Sequence, residues 1–195
     1  MYRYRKFLMA LIFALTSGCS LFRPEPLDWS IGVVAPKHYD VWVDYLFLET
    51  TGIRAWRVPV GWVSCCWKSP GGKGGGSNGT PLPNYVVIRW FSYAERKFYG
   101  RQIRLPDDLE QRMRRKTLTY GNTVNRYDPQ DSLILGLAPG GQIVVWIMNQ
   151  ARNAEEIMRV QAFELEGNPE HYHIENYLER HGEYLEQHGI QYEGW

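Results

Sequence analysis

Along residues 39–49 apolar side chains recur at every second position, Tyr39, Val41, Val43, Tyr45 and Phe47, with Asp40 and Asp44 alternating against them. A period of two belongs to a strand with one face on a core and one in solvent, so a half-buried strand with its odd positions inward is expected. Residues 56–62 predict another strand. Residues 85–93 and 97–105 are strand patterns joined by the short polar Ala94-Glu95-Arg96, which suits a hairpin. Residues 132–137 and 142–148 are continuously apolar, as central strands buried on both faces are. Between them Pro139 and Gly140 match the central pair of a tight turn. Residues 156–165 add one more strand.

The period becomes helical twice. Pro106 stands in an opening position, acids follow at Asp107, Asp108 and Glu110, and Arg112 to Lys116 supply a basic last turn, which predicts a short helix over 106–116 with Leu109 and Met113 inward. Asn168 and Pro169 read as an N-cap and first helical position. Ile174, Tyr177, Leu178, His181, Tyr184 and Leu185 then recur at helical spacing, predicting one amphipathic terminal helix through Gln187. Residues 69–83 are too rich in Gly and Pro for an element and read as a long exposed loop. Many strands with helices inserted or appended predict one α+β domain, mainly antiparallel sheet or sandwich-like, with a short inserted helix and a C-terminal amphipathic helix.

The N-terminus changes where that domain would sit. Arg3, Arg5 and Lys6 precede an apolar run over 7–15, and small residues follow, the pattern of an export signal. Nine apolar residues are too few to cross a bilayer. Ser17-Gly18-Cys19 resembles a bacterial lipobox, although Thr16 stands where Leu is usual. The resemblance implies cleavage after residue 18, lipid attachment at Cys19, a tether over 19–27 and a periplasmic domain over 28–195. Ordinary signal cleavage would instead release a soluble periplasmic protein. Ser20 after the cysteine favours the outer membrane by the known sorting rules, and acyl chains alone hold a chain to a bilayer.

Charge narrows the partners. Removing Arg3, Arg5 and Lys6 from the 22 Lys+Arg leaves 19 against 21 Asp+Glu, a net charge near −2, so nucleic acid is not an expected partner. The charge is uneven: residues 164–195 hold eight Glu against Arg180 alone, and residues 101–116 hold six basic residues and three acidic ones. These runs either face each other, face a partner, or form solvated surface. Glu175, Glu179, Glu183 and Glu186 on the terminal helix, with Trp62, Trp67 and Lys73 at the Gly-rich segment, are the candidate partner-binding residues. Aromatics there suit a protein partner or a sugar, or simply pack the base of the loop.

Little supports catalysis. Gly74, Gly76 and Gly79 spell a dinucleotide fingerprint, but Pro81 and Pro83 follow where a helix must begin. His171, His173, His181 and His188 lack metal-ligand spacing and read as surface or packing residues. No nucleophile elbow occurs. Neither an enzyme, a cofactor nor a metal is expected. Cys65 and Cys66 are left either as buried thiols or as a vicinal disulfide.

Residues 89–99, Arg-Trp-Phe-Ser-Tyr-Ala-Glu-Arg-Lys-Phe-Tyr, followed by Leu105-Pro106, and residues 136–146, Gly-Leu-Ala-Pro-Gly-Gly-Gln-Ile-Val-Val-Trp, resemble a family of Gram-negative envelope lipoproteins classed as a domain of unknown function. The likeness runs from about Trp29 to Phe163. Members look like neighbours of type VI secretion phospholipase effectors, so the resemblance implies a non-enzymatic lipoprotein that binds a protein partner, an immunity protein against a lipase-type effector. The alternatives are an envelope structural or assembly lipoprotein and a glycan-binding module.

Overall fold

The computed structural model describes residues 25–77 and 80–195, without the side chains of Lys73 and Ser77, so the signal segment and Cys19 lie outside the described residues. Among the described residues the chain runs β1 (Trp29–Val34), β2 (Val41–Thr50), β3 (Arg54–Val58), β4 (Gly61–Val63), β5 (Lys73–Ser77), β6 (Tyr85–Ser92), β7 (Lys97–Arg104), α1 (Leu109–Arg114), β8 (Thr117–Thr119), β9 (Arg126–Asp128), β10 (Ser132–Ala138), β11 (Gln142–Met148), β12 (Glu155–Gln161), β13 (Phe163–Leu165) and α2 (Ile174–His188). One sheet has the order β12-β11-β10-β1-β5. A second has the order β13-β7-β6-β2-β3, with β4 also pairing β2, and β8 and β9 form a separate two-stranded sheet. Pairing is antiparallel except between β1 and β10. The architecture is the expected α+β one, mostly antiparallel and sandwich-like.

The two inner faces meet in one core. Ile31, Val33, Leu135 and Val145 come from the first sheet, and Val43, Leu46, Ile88 and Trp90 from the second. Leu109 and Met113 of α1 close one end, both buried as their spacing predicts. Leu27 packs on this core and the Glu25 carbonyl accepts a bond from Arg114, so the folded unit takes in the end of the expected tether. Every buried core side chain among the described residues lies between Trp29 and Tyr177, so a chain begun at residue 20 keeps the whole core.

Several expectations are corrected. In β2 a bulge between Val43 and Tyr45 turns the strand over. Val41 and Val43 point inward as expected, but beyond the bulge Leu46 and Leu48 are buried and Phe47 is exposed, because one extra residue exchanges the two faces. The strand expected over 56–62 is two, β3 and β4, parted at Pro59 and Val60, with β4 opening on Gly61 at φ +71°. The terminal strand also divides: β12 ends the first sheet, the chain crosses at buried Ala162, whose N–H donates to the Gly141 carbonyl at 2.8 Å, and β13 joins the second.

The largest correction is the Gly-rich segment. It is no free loop: β5 pairs antiparallel with β1, setting Gly74 opposite Gly32 and Gly75 opposite Ile31. A Cβ on Gly74 would enter the Ile31 carbonyl, so the glycines let this edge strand approach β1 more closely than side chains permit. The terminal helix is likewise not continuous from Asn168. A 3-10 turn over Pro169–Tyr172, capped by the Asn168 side chain accepting from the Glu170 N–H at 3.0 Å, is parted from α2 by His173 in the left-handed region at φ 46°.

Candidate functional site: an aromatic cleft under the terminal helix

Trp42 points outward from β2, between the inward Val41 and Val43. Register sets it opposite Trp62 of β4 on one side and Phe91 of β6 on the other, and sets Phe91 opposite Phe98 of β7. An aromatic row, Trp62, Trp42, Phe91 and Phe98, therefore crosses four strands on the outer face of the second sheet. Cross-strand neighbours on one face lie about 5 Å apart, close enough for such rings to pack.

The C-terminal segment covers one end of this row only. Tyr172 lies over Phe91 and Phe98, with ring centres 4.3 and 5.3 Å apart, and Tyr177 stacks on Tyr93 at 5.3 Å. Phe91, Phe98, Tyr93 and Tyr177 are thereby buried, whereas Trp42 is 39% exposed. At the open end lies a cleft of about 500 Å³ with Trp42, Trp62, Tyr93 and Tyr172 as its walls. His171, His173 and Asn176 form its polar rim.

Two carboxylates stand behind the cleft residues. Asp44 Oδ1 accepts from the Tyr172 hydroxyl at 2.7 Å, and its Oδ2 lies 3.6 Å from Arg89 Nε. Asp40, 1% exposed, sits where the loop after β1 meets α2, its Oδ2 3.3 Å from His181 Nε2 and 3.8 Å from an Arg180 terminal nitrogen. Its Oδ1 has no hydrogen-bond partner among the described residues. Burial raises its pKa, and the neighbouring His181 and Arg180 oppose that rise. Burial, then the Asp40 charge, pushes the Tyr93 hydroxyl up to about 12. Arg180 leans back along the helix: its Nε donates to the Asn176 carbonyl at 3.0 Å and its guanidinium carbon stands 4.6 Å from the Trp62 ring centre.

The docking of α2 depends on the same loop. The Tyr177 hydroxyl donates to the His38 carbonyl at 2.7 Å, the His38 ring stacks on Tyr184 at 3.8 Å, and its Nδ1 lies 3.3 Å from His181 Nδ1. Burial, with Lys37 and His181 adding to it, lowers the His38 pKa. Glu175, Glu179, Glu183 and Glu186 all point to solvent. Among the described residues none of the four meets a cation. The basic run answers its own neighbours instead: Arg104 pairs with Asp107, Arg112 with Asp108, Arg114 with Glu110 and Arg115 with Glu155.

Of the residues singled out from sequence, Trp62 lines the cleft, and the four glutamates lie on the exposed side of α2, whose Asn176 is at the cleft rim. Trp67 belongs elsewhere: it packs edge-on against Trp146 at 4.9 Å on the outer face of the first sheet, over Gly136, where a Cβ would stand 2.6 Å from the indole. Lys73 lies in β5. Cys65 and Cys66 form a vicinal disulfide across a cis peptide and are exposed, which corrects the alternative of buried thiols. Sequence reasoning missed Trp42, Tyr93 and Tyr172 as walls of the cleft, and Arg180 and Asp40 next to its Trp62 wall. Among the described residues no His, Cys, Asp and Glu group has the arrangement of a metal site, and no helix is long and apolar enough to cross a membrane.

Fold and cleft together define a mainly antiparallel α+β sandwich that carries a half-covered aromatic row on one outer face. The chain belongs to the family described as Protein of unknown function (DUF2931), which matches residues 16–193. Neither a curated protein nor a solved structure matches it.

Proposed function

We propose that this chain is a non-enzymatic envelope lipoprotein, attached through Cys19 at the outer membrane and facing the periplasm, whose domain binds a protein partner. The observation that carries the reading is the pairing of an open aromatic cleft with an adjoining acidic helix whose four glutamates meet no cation among the described residues. Aromatic pockets supply the anchors of protein interfaces, and unpaired like charges beside them steer a partner of opposite sign. The partner we propose is a lipase-type effector of type VI secretion, which the chain neutralises as an immunity protein. Anchoring supports this, because it concentrates the domain at the membrane such an enzyme attacks.

The test uses the chain from residue 20 with any lipase-type effector that the neighbouring genes encode, the absence of such a gene counting against the immunity reading. Binding without turnover is expected. Replacing Glu175, Glu179, Glu183 and Glu186 by Gln should slow association about tenfold at low salt and much less at high salt, since rim charges act mainly on the encounter rate. Expression in the periplasm should protect cells and expression in the cytoplasm should not. A deletion strain that tolerates every neighbouring effector yet becomes detergent-sensitive would defeat the immunity reading in favour of an envelope-assembly role.

A further inference from the structure

We infer that the Trp62 wall of the aromatic cleft, with Asp40 beside it, is an arginine-binding site, which takes a guanidinium presented by the protein partner in the place the chain's own Arg180 now holds against Trp62 and Asp40. This rests on the protein-binding reading above and specifies what the partner must present. The internal arginine displays the chemistry. Its guanidinium lies 4.6 Å from the Trp62 ring centre, inside the range where an aromatic face attracts a cation, and indole is the strongest such face. The same group lies 3.8 Å from the Asp40 carboxylate. A planar fork of N–H donors satisfies ring and carboxylate together, which a lysine ammonium does less well.

Three features show that the place is open to exchange. The Arg180 side chain is 50% exposed, so a displaced Arg180 swings into water without a burial cost. Trp42, directly across the strand pair from Trp62, has no cation over its ring among the described residues, leaving a second indole face at the mouth. Asp40 is 1% exposed, and while its Oδ2 faces His181 Nε2 at 3.3 Å and Arg180 at 3.8 Å, its Oδ1 has no partner among the described residues, so the carboxylate retains acceptor capacity that Arg180 does not use. The acidic face of α2 supplies long-range attraction for the same sign of charge. A neutral sugar would stack on the indoles but would draw nothing from Asp40 or α2. A quaternary ammonium lacks the N–H groups that a carboxylate accepts from.

The experiment titrates the chain from residue 20 with N-acetylarginine amide while following the indole N–H resonances of Trp42 and Trp62. N-acetylcitrulline amide serves as the neutral isostere, and tetramethylammonium and an N-acetylglucosamine trimer test the other chemistries. Arginine amide should shift both indoles, and the citrulline compound should not at equal concentration. Arg180→Ala should tighten arginine binding about fivefold by vacating the place, Arg180→Gln should act in the same direction, and Trp62→Phe, which keeps the packing on Tyr93, should weaken it severalfold. Equal responses to arginine and citrulline, a stronger response to the sugar or to tetramethylammonium, or no gain in either Arg180 variant would overturn the inference. Arginine amide binding in a chain that fails to bind the effector would leave the cleft assignment standing and remove the partner reading. Effector binding in a chain indifferent to arginine would do the reverse.

Discussion

Tyr177 should decide whether α2 stays on the sheet. It is the one residue of α2 that is fully buried, its ring against Tyr93 and His181 and its hydroxyl on the His38 carbonyl at 2.7 Å. Ile174, Tyr184 and Leu185 are only partly covered. Tyr177→Phe removes the hydrogen bond and leaves the carbonyl without that donor, a loss of about 1 kcal/mol. Tyr177→Ala also removes the ring from a closed site, where large aromatic truncations cost about 3–5 kcal/mol. The sheets keep their own core on the opposite face, so that loss should fall first on helix docking. Hydrogen exchange of the α2 amides in the Ala variant should accelerate roughly a hundredfold, with β10 and β11 amides much less affected. Tyr93, on which Tyr177 stacks, would be uncovered together with the Phe91 edge beside it and should bind a hydrophobic dye. If α2 amides exchange at the wild-type rate in Tyr177→Ala, then Tyr177 is not what fastens the helix, and the account of the half-covered row fails with it.

Other outcomes follow from the same geometry. The folded chain holds the His38 pKa below the ordinary value of about 6.5, so this histidine contributes stability that is complete above 6.5 and lost as pH falls through that value toward its folded one; the melting midpoint should drop between pH 7.5 and 5.5, and His38→Gln should flatten the slope. Asp40, raised by burial, acts oppositely, its unfavourable share appearing as pH rises from about 3.8, so Asp40→Asn should lessen the loss of stability on going from pH 4 to pH 6, read by the same melts. Gly74→Val drives a side chain into the Ile31 carbonyl and should cost about 1–3 kcal/mol, several degrees in midpoint, whereas an unchanged midpoint would return residues 73–77 to the status of a free loop. Cys19→Ala should end palmitate labelling and release the protein from the membrane fraction, and undiminished labelling would refute the anchor.

Elements that carry their own period were legible. The hairpin of β6 and β7, the buried pair β10 and β11, and α1 with Leu109 and Met113 inward all follow from local pattern and turn chemistry. Elements that depend on a neighbour were not. The bulge in β2 leaves no mark in composition, yet it reverses which face holds Phe47. β5 is a strand because β1 offers it an edge and its glycines allow the approach, although the same glycines read locally as flexibility. His173 interrupts the helical pattern through a backbone angle that the spacing of Ile174, Tyr177 and His181 does not reveal.

The site was legible only where one element held it whole. Glu175, Glu179, Glu183 and Glu186 share the exposed side of a single helix, and helical spacing finds them. The aromatic row has no such signature, because Trp62, Trp42, Phe91 and Phe98 come together through three strand registers, and a slip of one residue in any of them would send its ring to the opposite face. The turned part of β2 begins only after Trp42, so the bulge separates an outward aromatic from the inward Leu46 and Leu48 within one strand. The bulge absorbs Asp44 as the one extra residue and so keeps Trp42 outward and Leu46 inward in the same strand. Deleting Asp44 should therefore make the ladder regular, with Val43 and Tyr45 consecutive opposite Trp90 and Arg89, Trp42 still in the cleft and Leu46 still in the core, at the cost only of the Asp44 contacts to Tyr172 and Arg89. A deletion variant that lost the Trp42 indole shift with arginine amide, or melted well below Asp44→Ala, would show that the bulge itself, and not only the register it restores, shapes the cleft.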